Sequence, residues 1–258
     1  MSMFKKMLAS VGIGAAQVDM LIDDAEIHAG DRLTGIVRIQ GGRVSQNVDD
    51  VYAYVMTKYR KEQNDSHVEV EAPIAKILLA GKFTVEAGQT YEFPFSFELP
   101  DMTPVTIGRT PVWIQTGLDI KEAFDPKDQD YLNVSPHPHA QIVWEAVEQL
   151  GFRLREVTCE YAPAHGRGLP FVQEFEFAPA ASEFRGRLDE LEVIFFPSED
   201  GIELLLQIDR RARGLSGLFS EALELDESFV RCRFSRSDLG RGASAVAQEL
   251  AGIIRRYS

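Results

Sequence analysis

Three arginines stand close together in the segment Arg210-Arg211-Ala212-Arg213-Gly214, although the chain carries a formal net charge of -13. A guanidinium group can pair with a carboxylate or a phosphate through two parallel hydrogen bonds. The arginines therefore have two alternatives, which are ion pairs within their own domain or contacts with an acidic partner or a phosphate. The acidic residues available for ion pairs are Asp189, Glu190, Glu192 and Asp209. Ion pairs within the domain are slightly favoured, and if the arginines instead receive a partner, Arg210, Arg211, Arg213 and the apolar neighbour Leu215 are the predicted binding residues.

Histidines and aspartates give only weak signals for a metal site. His137 and His139 are close, but no third ligand lies near them in the sequence, so a linker is favoured over a metal centre. Asp125, Asp128 and Asp130 form a cluster whose carboxylates suit Ca²⁺, yet the spacing of a helix-loop-helix calcium site is absent. We expect these three aspartates to be solvated turn residues, with ion binding as the alternative. The sequence predicts no cofactor.

Sequence motifs of common enzyme classes are absent from this chain. No glycine-rich phosphate loop joins a strand to a helix, and neither Gly-x-Ser-x-Gly nor His-Glu-x-x-His occurs. Cys159 and Cys232 fall at the apolar positions of their segments, so we expect both thiols to be buried and unreactive. The sequence therefore predicts a protein that is not an enzyme and has no small-molecule substrate. An unrecognised hydrolase or metal-dependent enzyme is the least favoured alternative.

The amino-terminal segment has the spacing of a short amphipathic helix. Phe4, Met7, Leu8 and Val11 recur at one face of a helical repeat. This face could pack on its own domain, fill a groove of a partner, or dock on a membrane surface. Since the segment has only two lysines, we expect membrane contact to be weak. A membrane-peripheral module that docks through Phe4, Met7 and Leu8 is the alternative function.

The acidic composition limits the partners that the chain can bind. A net charge of -13 disfavours nucleic acid, because sequence-independent binding needs a basic surface that displaces counterions. No segment is long and apolar enough to span a bilayer, and the amino terminus lacks the features of a secretory signal. We therefore expect a cytoplasmic protein whose partners are other proteins. Exposed strand edges also make self-association an expectation.

Alternation of apolar and polar residues predicts that most of the chain is β-structure. The clearest case is Tyr91–Leu99, where one face is aromatic or aliphatic and the other contains Glu92, Pro94 and Glu98. Because Pro94 has no amide hydrogen, this strand should lie at a sheet edge. Further strands are predicted at Leu33–Gln40, Val51–Arg60, Val68–Leu79, Val112–Ile120, Phe171–Phe177, Leu191–Phe196, Ile202–Ile208 and Phe229–Phe234. The segment Ser198-Glu199-Asp200-Gly201 predicts a tight hairpin.

Two helices are predicted in the second half. One follows the proline-rich segment Ser135–His139 and ends at Gly151. The other begins at about Ser244, with Val246, Leu250, Ile253 and Tyr257 on one face. We predict two antiparallel β-sandwich domains with short peripheral helices. The first spans residues 1–136 and includes the amino-terminal helix, and the second spans residues 137–258 and includes the linker helix and the carboxy-terminal helix.

Several long segments resemble the bacterial sporulation-control protein family. They are residues 4–16, Trp113–Ile120, Leu169–Phe177, Phe184–Leu191 and Asp209–Leu215. The resemblance implies an arrestin-like fold of two β-sandwiches. It also implies a non-catalytic regulator that affects sporulation and cell-cycle events through contacts with other proteins. It supplies no catalytic residues and does not identify the partners.

Overall fold

The structure, a computed structural model, describes residues 15–63, 66–120, 126–181, 183–209 and 229–257. Strands make up most of these residues, and the helices are few and short, so the mostly-β class predicted from the sequence is confirmed. The chain divides into two compact units. Unit 1 comprises the residues up to Thr57, Pro73–Thr103 and Pro111–Val134. Unit 2 comprises Lys58–Ala72, Pro104–Thr110 and the residues from Ser135 onward.

The described part of unit 1 contains strands and no helix. Its strands are β1 (Gln17–Ile22), β2 (Glu26–His28), β3 (Arg32–Gln40), β4 (Gln46–Gln63), β5 (Ser66–Ala80), β6 (Phe83–Val85), β7 (Thr90–Glu98), β8 (Val112–Ile120) and β9 (Lys127–Ser135), of which β4 and β5 continue into unit 2. Strands β1, β3 and β7 form one sheet, and β4, β8, β9 and β2 follow one another in a second. Buried aliphatic side chains from both sheets form a single core.

Strand β7 shows how the sequence pattern becomes a sheet. Its aromatic residues turn inward, with Phe95 buried and Tyr91, Phe93 and Phe97 half-buried, while Glu92 and Pro94 are exposed. Among the described strands it pairs with β3 alone and forms the edge of its sheet. The predicted strand and the edge position of Pro94 are therefore both confirmed.

Unit 2 packs helices on one face of an antiparallel sheet. The sheet contains β10 (Phe152–Tyr161), β11 (Phe171–Pro179), β12 (Glu190–Ser198), β13 (Gly201–Asp209) and β14 (Phe229–Ser235) in chain order. The helices are α1 (Pro138–Gln149), α2 (Arg236–Leu239) and α3 (Ala243–Tyr257). Residues such as Val143 of α1 and Leu250 of α3 share a core with Phe177 of β11 and Leu191 of β12. None of the described helices is long and apolar enough to cross a membrane.

The predicted helices and hairpin of unit 2 are confirmed, with one correction. Helix α1 ends before Gly151, whose φ of 82° suits glycine. The β12–β13 hairpin pairs Ser198 with Gly201. A side chain at position 201 would not fit, because a Cβ added to Gly201 would collide with the Phe234 carbonyl oxygen. In α3, however, Tyr257 is 51% exposed, and Ile254 continues the buried stripe one turn after Leu250.

Candidate functional site

All seven residues predicted from the sequence to bind a partner lie outside the described residues. They are Phe4, Met7, Leu8, Arg210, Arg211, Arg213 and Leu215. The described residues instead contain a groove in unit 2 that sequence reasoning did not find. We call it the β10 groove, since one wall is formed by residues 154–159 of that strand.

The β10 groove has a volume of about 340 Å³, and residues from three distant stretches line it. Besides β10, these stretches are Lys58–Arg60 at the end of β4 with Glu69 of β5, and the turn Ile107–Thr110. Every one of these residues belongs to unit 2. The spacing of residues in the sequence therefore gives no sign of the site.

One edge of β10 is largely without a strand partner among the described residues. Along its other edge, β10 pairs with β11 from Phe152 to Tyr161. On the groove side it pairs with β4 at one position, where Glu160 lies opposite Arg60 in parallel. An unpaired strand edge offers backbone N–H and C=O groups to an added strand. The wall of the groove is thus suited to bind an extended peptide.

Side-chain hydrogen bonds hold the turn Ile107–Thr110 at this edge. The Gln173 side chain accepts from the backbone N–H of Val105 and donates to its carbonyl oxygen, both at 2.8 Å. Gly108 has a φ of 69°, and a Cβ added there would lie 3.7 Å from the Val157 carbonyl oxygen. The turn therefore passes beside the edge of β10, and Arg109 at its tip is exposed.

Positive charge exceeds negative charge in the lining of the groove. The cationic residues are Lys58, Arg60, Arg109 and Arg155, and the anionic ones are Glu69 and Glu156. Arg60 is already bound to Glu160, with Nε 2.6 Å from Oε1. Arg109 makes no ion pair with any described residue, and Lys58 lies 3.8 Å from Glu71 and 3.9 Å from Glu69. Arg109 and Lys58 are therefore the cations most available to a ligand.

The thiol in the groove is not a nucleophile. Cys159 is buried, and burial raises the pKa of its thiol to about 12. Cys232, predicted to be buried, is half-buried, and burial raises the pKa of its thiol to about 12 as well. Since the thiolate is the reactive form, both cysteines are unreactive at neutral pH.

Four glutamates on β11 and β12 form a second feature of unit 2, which we call the glutamate cluster. They are Glu174, Glu176, Glu190 and Glu192. Glu192 is 1% exposed and lies opposite Glu176 in the sheet. Arg155 is the cation that contacts the cluster in the described structure, with Nε 2.7 Å from Glu176 Oε1 and Nη1 3.3 Å from Glu190 Oε2.

The cluster raises the pKa values of two of its members. Burial, and then the charges of Glu190 and Glu176, raise the pKa of Glu192 to about 8. Burial, and then a hydrogen bond and charge from Glu190, raise the pKa of Glu176 to about 7. Because one guanidinium cannot neutralise four clustered carboxylates, three of them buried, proton uptake by Glu176 and Glu192 removes part of the remaining charge.

The histidine and aspartate candidates occupy structural positions. His137 Nδ1 accepts a 3.1 Å hydrogen bond from the His139 backbone at the start of α1. The expectation that Asp128 and Asp130 are solvated turn residues is wrong, because both lie half-buried in β9; Asp125 is outside the described residues. Burial, and then the charge of Asp128, raise the pKa of Asp130 to about 7. Among the residues with described positions, no group of three or more His, Cys, Asp or Glu could hold a metal ion.

Comparisons with known proteins agree with the motif resemblance. A family model described as SpoOM protein matches residues 4–212. The sporulation-control protein spo0M of Bacillus subtilis (strain 168) is 44% identical over 258 residues, which is 100% of both chains. The crystal structure of Spo0M from Bacillus subtilis matches with a TM-score of 0.88 and 40% identity, covering 95% of this chain and 100% of that one. The chain therefore belongs to the SpoOM protein family.

Proposed function

We propose that this chain is a non-catalytic adaptor that acts in the control of sporulation, or of the cell cycle and stress responses, by binding other proteins. Its 44% identity to a sporulation-control protein supports a regulatory role connected with sporulation. The observation that carries the binding mode is the β10 groove, where an open strand edge lies beside an exposed arginine.

In this proposal, a partner contributes an extended segment that hydrogen-bonds to the open edge of β10. Main-chain hydrogen bonds supply affinity, and the side chains that alternate along the added segment supply specificity. The wall of the groove runs from Leu154 to Cys159. At ~3.3 Å per residue in an extended strand, a partner segment of about six residues spans this wall.

The chemistry of the described residues supports a binding protein rather than an enzyme. The thiol of Cys159 lies in the groove, but its pKa of about 12 leaves it protonated at neutral pH. Both cysteines are free, which suits a reducing compartment, and we include a cytoplasmic location in the proposal.

Site-specific photo-crosslinking in the native cell tests the proposed function. A photoreactive phenylalanine analogue replaces Glu156, whose side chain is 54% exposed in the lining of the groove, in one variant, and Lys82 in a control variant. Lys82 belongs to unit 1, and its side chain is 80% exposed. We expect discrete protein adducts from the position of Glu156 and none of the same mass from the position of Lys82. Identical adduct patterns from both positions, or no adducts from either, would contradict an adaptor that uses this groove.

A further inference from the structure

We infer that the β10 groove binds an extended segment in which acidic residues alternate with apolar ones, an inference that rests on the adaptor function proposed above. Three observations carry it: the shape of the strand edge, the charge at its rim, and the mixed lining of its walls. Each restricts a different property of the ligand.

The strand edge restricts the backbone of the ligand. Because β10 meets β4 at one position among the described residues, most of its groove side has no strand partner there. The turn Ile107–Thr110 stands beside this edge and closes the groove on another side. An extended segment can fit such a site, whereas a helix satisfies its own backbone groups and gains nothing from an open edge.

The rim restricts the charge of the ligand. Arg109 is exposed and makes no ion pair with the described residues, and the carboxylates nearest Lys58 are 3.8 and 3.9 Å away. Exposed ion pairs of that length contribute little and exchange readily with other partners. A basic segment would instead meet Arg109 and Lys58 with like charge. Of the two glutamates in the lining, Glu156 already lies 3.7 Å from Arg60.

The walls restrict the side chains between the acidic ones. Ile107 and Leu154 are half-buried apolar residues that line the groove. Side chains of a strand point alternately to opposite faces, so one face of the segment can meet the cations while the other meets apolar surface. A flat anionic membrane does not supply a backbone for the strand edge, and the structure favours a peptide for that reason.

Peptide binding tests this inference with a defined probe. The probe is a fluorescein-labelled ten-residue peptide of alternating Glu and Val, and its matched control has Lys in place of every Glu. Fluorescence anisotropy measures binding of each peptide to the full chain at low and at physiological ionic strength. We expect the Glu peptide to bind at least about tenfold more tightly than the Lys peptide, with weaker binding as salt is added.

Charge reversal at the rim separates the groove from the rest of the surface. Arg109→Glu should weaken binding of the Glu peptide about tenfold and improve binding of the Lys peptide. Arg185→Glu is the control, because Arg185 is an exposed arginine of the same unit that does not line the groove. Since both positions are exposed, neither substitution should lower the melting temperature. Equal effects of the two variants would overturn the inference.

A third peptide tests the requirement for an extended backbone. Methylation of alternate backbone nitrogens in the Glu peptide removes hydrogen-bond donors without changing its charge. Unchanged affinity of this peptide would show that charge alone drives binding and would overturn strand addition. A dimer that Arg109→Glu dissociates would identify a second copy of the chain as the occupant, and this would overturn the inference as well.

The outcomes distinguish this inference from the proposed function. If the position of Glu156 crosslinks to partner proteins in cells but the Glu and Lys peptides bind equally, the adaptor function stands and the acidic segment is wrong. If no crosslinks form and the Glu peptide still binds selectively, the groove has the inferred chemistry but the adaptor function fails.

Discussion

Buried glutamates in unit 2 are neutralised in two different ways, one at Glu160 and the other in the glutamate cluster. Glu160 has a side chain that is 5% exposed, and Arg60 contacts it at 2.6 Å. In the glutamate cluster, Arg155 contacts Glu176 and Glu190, which are two of the four carboxyl groups, among the described residues. The first arrangement depends on one guanidinium group, and the second depends on protons. Burial of a carboxylate thus has two solutions in one sheet, and the second couples the fold to pH.

The largest expected effect comes from removing the cation of the first arrangement. Arg60→Met leaves Glu160 buried without its partner, and we expect the free energy of unfolding to fall by about 2 to 3 kcal/mol. This is less than for a fully buried pair, because the Arg60 side chain is 41% exposed. Urea unfolding at pH 7 measures the change. In the double variant with Glu160→Gln most of the loss should be recovered, and a loss below about 1 kcal/mol in the single variant would contradict the comparison.

The second arrangement predicts that stability falls as the solution becomes more alkaline. The pKa values of Glu176 and Glu192 are about 7 and about 8 in the folded state, above the ordinary value of 4.5. From pH 4.5 up to these higher values, the folded state therefore binds more protons than the unfolded state. Its extra stability is complete below pH 4.5 and is lost as the pH rises through 7 to 8, by at least about 2 kcal/mol in total. Urea unfolding at intervals from pH 5 to pH 9 measures this loss, and a flat or rising profile would contradict it.

A single substitution in the glutamate cluster should remove part of that pH dependence. Glu192→Gln supplies a neutral side chain of nearly the same shape, so it resembles the protonated glutamate. We expect no change at pH 5 and a gain of about 1 kcal/mol at pH 9. Asp130→Asn tests the same principle in unit 1, because Asp130 also has a raised pKa and should likewise gain stability at pH 9. If Glu192→Gln destabilises the chain at pH 9, the side chain is an ion held by a partner rather than a proton carrier.

The smallest effect is expected at an exposed pair. Arg32 and Glu98 lie 2.9 Å apart on β3 and β7, but their side chains are 65% and 68% exposed. Arg32→Ala should change the free energy of unfolding by less than about 0.5 kcal/mol, because water screens such pairs. Chemical unfolding in low and high salt measures the change. A loss comparable to that of Arg60→Met would mean that burial does not decide the strength of these pairs.

Local periodicity was sufficient to predict much of the fold but not all of it. In Tyr91–Leu99, aromatic residues alternate strictly with polar ones, and this pattern predicts β7 directly. Strand β10 has a register shift between Leu154 and Glu156, so its alternation breaks where Arg155 and Glu156 stand together. The sequence suggests a solvated loop at Asp128 and Asp130. In the structure both residues lie half-buried in strand β9 instead.

The candidate site could not be predicted because it depends on contacts between distant residues. Arg60 and Glu160, which join the two strands beside the groove, are 100 positions apart in the chain. The glutamates of β11 and β12 alternate with apolar residues, a pattern that predicts a solvated face. That face is buried at Glu192 instead. The sequence of one strand does not show whether another part of the fold covers its polar face.

The division of the chain into units also affects how the protein is made. The stretch Lys58–Ala72 belongs to unit 2 but interrupts unit 1 in the sequence. The ribosome adds about 5 to 20 residues per second, so Arg60 waits about 5 to 20 seconds for Glu160, 100 residues later. During that interval the unit 2 parts of β4 and β5 have none of the strands β10 to β14 beside them. A nascent chain therefore has no β10 groove until most of the protein has been synthesised, and the partner binding that we propose for this groove can begin only late in translation.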